Sequence, residues 1–357
     1  MHATLADAAG QETPARPLSP LFEKHAAILR DPASGAAIVV ENGALLAAAG
    51  GRRIDVAEGI PNFFVPADHE PGSTLNDVTQ IVRAFYEETP FPNYDGLDSR
   101  ESLAVKAQRS VFAALLDAAL PDGALVFEAG CGTGQLSNFL GMSWKREVFA
   151  GDLCQNSLRL AKGFADRFAI QNVAFLQMNL FRPPFHDNSF DVVISNGVLH
   201  HTGDCEGAFR AILAKAKPGG LILIGLYNHY ARLPTLWKRW TFRRFGPSLY
   251  FLDPRLRSWS KEPDRIKAWF MDQYRHPHET RHSIKEVLAW FRKYEVDFVN
   301  GIPHPDGSDF AEDERLLEPH SAGTPASQLM TQLTMLLSGG ADGGLFIMIG
   351  RKRHAQQ

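Results

Sequence analysis

The residues with the clearest chemical pattern form a glycine-rich segment, Glu128-Ala129-Gly130-Cys131-Gly132-Thr133-Gly134. Glycine lets a backbone turn tightly and approach a ligand within van der Waals contact. The spacing is G-x-G-x-G, whereas pyrophosphate-binding loops use G-x-G-x-x-G. Glu128, just ahead of the loop, would repel a pyrophosphate and attract a cation. The segment therefore predicts a binding loop for a ligand that carries positive charge.

A second acidic residue, Asp152, ends the next predicted strand. An acid at this place can accept hydrogen bonds from both hydroxyls of a ribose that lies across the strand ends. Asp152 alone is compatible with a nicotinamide dinucleotide and with other nucleosides, so the neighbouring segments have to distinguish between them.

Those segments follow in a fixed order: residues 177–180 (QMNL), 184–193 (PFHDNSFDVV), 195–201 (SNGVLHH) and 217–220 (KPGG). In order and spacing, the stretch from Val126 to Leu226 resembles the class I S-adenosylmethionine (SAM)-dependent methyltransferase superfamily, in its type 11 or UbiE-like branch. The resemblance implies SAM as the cofactor. It also implies an α/β, Rossmann-like fold with a mostly parallel seven-stranded sheet and a reversed last strand.

The resemblance further implies which residues bind the cofactor. The glycine loop would cradle the methionine part, Asp152 would hold the ribose and Leu153 would pack on adenine. Asn179 stands where the family commonly has an Asp that reaches the adenine amino group, and its amide oxygen can accept that bond without charge. The complete set is Tyr86, Glu128, Gly130, Cys131, Gly132, Gly134, Asp152, Leu153, Asn179, Leu180, Asn196 and Gly197, of which the last two would face the sulfonium.

Methyl transfer mainly requires a nucleophile aligned about 3 to 3.5 Å from the methyl carbon. A base is optional, and His titrates near neutral pH. His200 and His201 follow the strand that should point at the methyl group, so we identify both as candidate catalytic residues. The alternative is that the pair shapes the loop. Tyr86 could contact the sulfonium by a cation–π interaction, with ordinary packing as the alternative.

The elements that must position these residues alternate along the chain. Continuous apolar runs separated by segments of helical period predict βαβ units with strands buried in a parallel sheet. The predicted strands are 124–129, 147–152, 173–178, 190–195, 221–226, 294–299 and 345–350. The predicted helices are 77–88, 102–120, 157–168, 207–215 and 283–291.

This pattern divides the chain into six segments. They are a disordered tail (1–20), a small β module (21–66), a linker with N-terminal helices that cover the cofactor (67–123), the SAM-binding core (124–226), a helical lid or substrate insertion (227–282), and a C-terminal helix with the final strands (283–357). The β module resembles zinc-ribbon-like activator modules found beside some methyltransferases. Asp31-Pro32-Ala33-Ser34 replaces their Cys-Pro-x-Cys pair, so we predict no metal there.

Composition excludes some classes of protein. The net charge of -3 predicts no general attraction to nucleic acid, and no apolar run is long enough to span a membrane. The three cysteines are far apart, which suits a reducing compartment. We therefore expect a cytoplasmic protein without integral membrane association. No metal is predicted either, although His276, His278 and His282 lie close together in sequence.

The predicted lid differs from the rest of the chain in charge. Residues 227–259 hold seven Lys or Arg, one acid and three Trp. Three interpretations stay open: a lid with solvated basic faces, a pocket for an acidic or aromatic small molecule, and a surface for RNA or membrane.

The function predicted from these features is SAM-dependent methyl transfer to a small-molecule acceptor at oxygen or carbon. One alternative is a tRNA or protein methyltransferase, although the Asn/Asp-Pro-Pro-Tyr type tetrad of amino-directed enzymes is absent where Ser195-Asn196-Gly197-Val198 stands. Another is a non-catalytic SAM-binding protein. The glycine spacing disfavours an NAD(P)-dependent oxidoreductase. The acceptor and the oligomeric state stay open.

Overall fold

The computed structural model describes residues 17–48, 50–66, 74–92, 94, 97, 99–245, 253–259, 262–310, 314–338 and 343–354. Most of the predicted tail (1–16) and the first part of the predicted linker (67–73) lie outside these residues. Among the described helices, none is both long enough and apolar enough to cross a bilayer.

The N-terminal part forms two small sheets. After helix α1 (Leu21–Lys24) come the antiparallel strands β1 (Ile38–Glu41), β2 (Ala44–Ala47) and β3 (Arg53–Ile54), and then the pair β4 (Val56–Ala57) and β5 (Ile60–Pro61). The Asn42-Gly43 turn joins β1 to β2 with positive φ at both residues, as a type I′ hairpin requires.

An ion pair lies where the zinc-ribbon-like resemblance would put a metal ligand. The buried Asp31 carboxylate accepts hydrogen bonds from the Ser34 hydroxyl and from Arg52, at 2.7 and 2.8 Å. These donors satisfy the carboxylate without a metal, because each of its oxygens has a donor.

Three helices precede the main sheet: α2 (Thr74–Glu88), α3 (Arg100–Gln108) and α4 (Val111–Ala119). The prediction of one helix over 102–120 is wrong, because α3 ends at Gln108 and α4 begins at Val111. The Ser110 hydroxyl accepts from the backbone of Ala113 and so caps the second helix. A serine side chain of this kind competes with continued helical hydrogen bonding.

The central sheet has seven strands in the order β11-β12-β10-β9-β6-β7-β8. The strands are β6 (Ala124–Ala129), β7 (Arg146–Asp152), β8 (Val173–Gln177), β9 (Phe190–Asn196), β10 (Ala216–Tyr227), β11 (Val296–Ile302) and β12 (Leu345–Lys352). Strands β6 to β10 pair in parallel, and β12 is antiparallel to both β10 and β11. The predicted mostly parallel sheet with a reversed last strand is therefore confirmed.

Helices cover both faces of this sheet. Helices α5 (Gln135–Gly141), α6 (Gln155–Arg167) and α7 (Cys205–Leu213) connect its strands. Alternate strand residues enter opposite core layers: Phe127 and Phe149 pack on one face, whereas Val126 and Val148 pack on the other. Such double burial explains why the strands are continuous apolar runs in sequence.

The N-terminal sheets pack on the first of these faces. Leu29, Leu45 and Phe63 belong to the same buried cluster as Phe149. Asn62 forms a parallel bridge with Gln177, and the Phe63 amide donates to the Gln177 carbonyl at 2.8 Å. The segment after β5 therefore continues the main sheet beside β8, an arrangement that the sequence analysis did not predict.

The predicted lid is helical where it is described. It contains α8 (Leu233–Phe245), α9 (Pro254–Ser258), α10 (Pro263–Phe270) and a π-helical turn (Met271–Arg275). Residues 246–252, 260 and 261 of the predicted lid lie outside the described part. Two helices follow, α11 (Ile284–Lys293) and α12 (Pro325–Leu337). A capping box of Ser283 and Glu286 starts α11 within the predicted helix 283–291, whereas α12 was not predicted.

Candidate active site

A cavity of about 900 Å³ lies at the carboxyl ends of the parallel strands. It is centred between β6 and β9, where the strand order reverses. From β6 the chain proceeds through β7 to β8 on one side, and from β9 it proceeds to β10 on the other side. Ligands of open α/β sheets bind at this switch point. Glu128, Asp152, Asn179 and Asn196 all line the cavity, so the sheet brings together residues that are far apart in sequence.

Glu128 lies near the end of β6 and is 5% exposed. Its carboxylate accepts a short hydrogen bond from the Ser137 hydroxyl, in the first turns of α5. Burial raises the pKa of Glu128 to about 8, and the Ser137 hydrogen bond opposes this shift. A cationic group in the cavity would favour the ionised carboxylate. Glu128 is therefore a candidate to bind an ammonium group.

Asp152 ends β7, and backbone N–H groups fix its carboxylate. Oδ2 accepts from Gly132 at 2.8 Å, and Oδ1 accepts from Cys154 at 2.8 Å. Burial raises the pKa of Asp152, although these backbone hydrogen bonds act in the opposite direction. Each carboxylate oxygen keeps a further lone pair, so the group can still accept hydrogen bonds from a diol.

The glycine loop is covered by the segment after α2. Gly132 has φ +53°, and a Cβ there would lie 2.7 Å from the Phe91 carbonyl oxygen. The Thr133 hydroxyl donates to the Pro92 carbonyl at 2.5 Å, and the Tyr94 hydroxyl donates to the Thr133 carbonyl at 2.8 Å. The close approach of the two segments requires glycine at position 132.

Gly134 is placed differently from the other loop glycines. It does not line the cavity, and a Cβ at this position would lie 2.7 Å from the Ala161 Cβ. Its position allows α5 to pack closely against α6. The absence of a side chain at Gly134 therefore supports helix packing and contributes to the loop indirectly.

The N-terminal β module helps to position Asn179. The Asn179 amide nitrogen donates to the Val65 carbonyl at 3.2 Å, and its oxygen accepts from the Phe181 backbone at 3.1 Å. Leu153 and Leu180 line the cavity beside it, and the Gln177 side chain donates to the Leu153 carbonyl at 2.9 Å. These contacts fix the residues that the sequence resemblance assigns to adenine binding, an assignment that stays a prediction.

Asn196 and Gly197 close the end of β9. The Asn196 Oδ1 atom is buried without a hydrogen-bond partner among the described residues. A Cβ on Gly197 would meet nothing within 4 Å. An acceptor without a donor and an open space beside it are features that a bound ligand would complete. Together with Glu128 and Asp152, they fit SAM, which carries an ammonium, a diol and a sulfonium.

The two candidate catalytic histidines occupy different places. His201 lines the cavity, and its Nδ1–H donates to the His278 carbonyl at 2.9 Å. His200 is fully buried behind it, off the cavity, with its ring 4.0 Å from that of Tyr227. Burial lowers the pKa of both imidazoles well below the ordinary value. Both are therefore neutral at pH 7, and Nε2 is the basic nitrogen of His201.

Tyr86 connects the site to the lid. It lines the cavity, and its hydroxyl donates to Asp272 Oδ1 of the π-helical turn at 2.9 Å. The next residue, Glu87, accepts from the backbone N–H groups of Gln155 and Asn156 at 2.8 and 3.1 Å. Helix α2 thus caps α6 and contacts the lid across the cavity.

A buried ion pair holds the lid together. The Arg232 guanidinium donates two hydrogen bonds to Glu279, at 3.0 and 2.7 Å, and lies 3.7 Å from the centre of the Tyr227 ring. Arg239 donates to the same carboxylate at 2.8 Å. Two of the lid's basic residues therefore have internal structural roles, which the sequence could not separate from solvated ones.

Several cavity residues were not predicted. They come from the segment after α2, from α4 and from the lid: Phe91, Pro92, Phe112, Trp269, Asp272 and Gln273. Their sequence contexts carry no cofactor motif. Only residues 89–95 could have been predicted to cover the cavity, because they contain two prolines and lie just ahead of the core. Of these residues, Asn93 and Asp95 lie outside the described part of the chain.

The described residues contain one group of three potential metal ligands, His304, Glu314 and His320, away from the cavity. The two imidazole rings stack, with their centres 3.9 Å apart and their planes at 25° to each other. The cluster that was considered in the sequence, around His276, is not such a group; the His276 ring stacks on that of His201 at 3.7 Å.

Comparisons with known proteins concern the core of the chain. Residues 127–224 match the family described as a methyltransferase domain. The demethylmenaquinone methyltransferase of Lactococcus lactis is 35% identical over 118 residues, which are 32% of this chain and 44% of that protein. The ubiquinone/menaquinone biosynthesis C-methyltransferase UbiE of Shewanella oneidensis is 32% identical over 107 residues, covering 29% and 42% of the two chains.

Magnesium protoporphyrin IX methyltransferase from Synechocystis, solved with bound SAH, is similar in structure at 15% identity and a TM-score of 0.43, covering 77% of this chain and all of that one. The chain spans less than half the length of the two curated relatives. The matched stretch, 127–224, lies within the segment 126–226 on which the sequence resemblance rested, and it includes the glycine loop. Residues 127–224 therefore match a methyltransferase domain, and this stretch is similar to SAM-dependent methyltransferases of class I.

Proposed function

We propose that this protein transfers a methyl group from SAM to a small-molecule acceptor, at oxygen or carbon. The observation that carries the proposal is the continuous cavity that includes the glycine loop, Asp152, His201 and the lid. Its volume of about 900 Å³ lies near the upper end of the range of small-molecule sites. Such a cavity provides room for an acceptor beside the cofactor.

SAM supplies an electrophilic methyl group on a sulfonium. Glu128 would bind the ammonium group, Asp152 the ribose hydroxyls, and Asn196 and Gly197 would face the reacting end. Helix α2, the Phe91-Pro92 segment and the π-helical turn would exclude water from it, because all three line the same cavity. Alignment of the two reactants is the main contribution expected from the protein.

His201 is the residue that we propose as a base. Its Nδ1–H is engaged by the His278 carbonyl, so Nε2 can accept a proton from a hydroxyl or an acidic carbon. Its lowered pKa keeps it unprotonated at neutral pH, at the expense of basicity. We assign His200 a supporting role, since it lies behind His201 and off the cavity.

The names of the two curated relatives support carbon as one acceptor atom. The first is a demethylmenaquinone methyltransferase, and the second is named as a C-methyltransferase of ubiquinone/menaquinone biosynthesis. The absence of an amino-directed tetrad after β9 supports oxygen or carbon over nitrogen. The cavity volume of about 900 Å³ supports a small acceptor over a folded protein.

The test is incubation of the full chain with methyl-labelled SAM and fractionated cell extract. We expect label in a small-molecule fraction, and at least tenfold less label at sub-saturating SAM with the variant Asp152→Asn. Label in RNA or protein would contradict the small-molecule acceptor. Tight binding of S-adenosylhomocysteine (SAH) without any labelled fraction would favour the non-catalytic alternative.

A further inference from the structure

The outer face of α8 combines large apolar side chains with basic ones. Leu233, Trp237 and Trp240 are 44%, 56% and 59% exposed, and Arg244 is exposed on the same stripe. These four positions follow the i, i+4, i+7, i+11 spacing of one helix face. We call this face, with the adjacent Arg243 and Phe245, the tryptophan face.

The opposite side of α8 is anchored in the lid. The ring of Phe242, on the inner side, lies 4.7 Å from that of Tyr274 and 5.6 Å from that of Phe270. Arg239 is bound to Glu279. The helix therefore has a fixed orientation, and its exposed aromatic residues result from that orientation. An exposed apolar stripe of this kind marks an interaction site more often than a random surface does.

The charge of the tryptophan face is positive. Arg243 and Arg244 form no ion pair with any described residue, and Lys238 lies between the two sides of the helix without one. The only acid of residues 227–259, Asp253, is buried and accepts hydrogen bonds from Tyr274 and Trp269 at 2.6 and 3.1 Å. It therefore points into the lid, away from the outer face.

We infer that the tryptophan face docks on an anionic lipid bilayer. Tryptophan prefers the membrane–water interface, where its ring is buried and its N–H stays near the headgroups. Arginine and lysine beside it would contact anionic headgroups, and an amphipathic helix with this composition lies in the interface plane. An RNA would need stacking aromatics within a basic groove, whereas this face is the outer side of one helix.

The inference also bears on access to the active site. The residues on which α8 rests, Phe270 and Tyr274, are direct neighbours in sequence of Trp269 and Gln273, which line the cavity. Docking through α8 would place this wall of the cavity next to the bilayer. A lipophilic acceptor could then reach the cavity from the membrane. This consequence rests on the proposed function, whereas the docking of α8 on a bilayer does not.

The test is co-flotation of the full chain with vesicles, in the absence of SAM. We expect binding to an equal mixture of phosphatidylcholine and phosphatidylglycerol, weaker binding to phosphatidylcholine alone, and loss of binding at high salt. The paired change Arg243→Gln and Arg244→Gln should weaken binding about fivefold for each cation removed. The paired change Trp237→Gln and Trp240→Gln should weaken it at least tenfold and remove a blue shift of tryptophan fluorescence on binding.

Trp144 provides a matched control, since it is 81% exposed and lies before β7, at the opposite end of the strands from the cavity. Trp144→Gln should bind vesicles like the wild type. Equal binding by the α8 variants, or no binding to the mixed vesicles, would overturn the inference. So would concentration-dependent dimerisation in analytical ultracentrifugation that the α8 variants abolish, or RNA binding that depends on the same residues. Because SAH affinity is measured separately, these outcomes are distinguishable from a failure of the proposed function.

Discussion

The Tyr86 hydroxyl donates a 2.9 Å hydrogen bond to Asp272, and this bond joins α2 to the lid across the cavity. Asp272 is buried and Tyr86 is half-buried, and burial raises the pKa of each. The two side chains are separated by 186 positions in the chain. One contact therefore links the segment before the core to the insertion after it, around the ligand site.

Tyr86→Phe keeps the ring and removes only this hydrogen bond. We expect a loss of about 1 to 3 kcal/mol in the free energy of unfolding, because Asp272 loses a donor in a buried place. SAH should also dissociate faster, which stopped-flow fluorescence can measure. Tyr294→Phe is the control: its hydroxyl bonds to Glu206 away from the cavity, and its loss should leave SAH dissociation unchanged.

Glu128→Gln should change how stability depends on pH. The pKa of Glu128 in the folded protein is about 8, above its ordinary value of 4.5, so the folded state holds the proton more tightly. The protonated group therefore contributes fully to the free energy of unfolding below pH 4.5, and this contribution is lost as the pH rises to 8. As the pH rises from 5 to 8, the free energy of unfolding of the variant should increase by a few kcal/mol relative to that of the wild type. Urea unfolding at each pH measures this difference.

The same carboxyl group should make SAH binding pH-dependent. An ammonium favours the ionised form, so affinity measured by calorimetry should rise from pH 6 to pH 8, by up to about tenfold per pH unit. Glu128→Gln should bind more weakly and lose this dependence. A wild-type affinity that is flat over this range would contradict an ammonium at Glu128.

Asp152→Asn should affect both binding and the loop. One of the two backbone N–H groups, of Gly132 or Cys154, would face an amide NH₂ and lose its acceptor. We expect SAH affinity to fall at least tenfold, with a loss of about 1 to 3 kcal/mol in stability. The surface variant Asp187→Asn, which removes an exposed pair with Lys215, should change neither quantity appreciably.

His201→Gln tests the proposed base. If His201 accepts a proton, kcat should fall about 10² to 10⁴-fold while the affinity for SAH stays within a few-fold of the wild type. His229→Gln, at an exposed position off the cavity, should leave kcat unchanged. An unchanged kcat in His201→Gln with weakened SAH binding would instead assign His201 to cofactor packing.

Glu279→Gln breaks the buried ion pair of the lid. Burial alone would raise the pKa of Glu279, but Arg232 and Arg239 lower it to about 2. The stabilisation is therefore present above the ordinary pKa of 4.5 and is lost as the pH falls toward 2. At pH 7 we expect a loss of about 3 to 5 kcal/mol, against less than about 1 kcal/mol for Glu262→Gln in the exposed pair with Arg265.

The strands of the core could be predicted because each is buried on both faces. Residues 124–129 match β6 without error, and the glycine loop, Asp152 and Asn196 follow from the ends of such strands. Strand β10 is longer than predicted: it begins at Ala216, and its register shifts between Ala216 and Leu221. The predicted strand began only after Pro218-Gly219-Gly220, and the irregular register across this stretch explains the difference.

The parts of the site that were not predicted depend on distant contacts. Nothing in the sequence around Asp272 indicates a π-helical turn or a bond to Tyr86, and the pairing of Asn62 with Gln177 requires two edges to meet in space. Helix α12 is a different case. Thr324 followed by Pro325 is a helix-start signal. In the structure the Thr324 hydroxyl accepts a hydrogen bond from the backbone N–H of Ser327. That signal could have been used.

The position of β12 between β10 and β11 affects how the chain can fold during its synthesis on the ribosome. Strand β11 is made first but has no neighbour in the sheet until β12 has emerged, since β12 separates it from β10. Until then the apolar edge of β10 is open, and an exposed edge of this kind can pair with other chains. A nascent chain stalled before Leu345 would therefore depend on chaperones to protect this edge. Emergence of β12 would be the step that closes the sheet and removes this dependence.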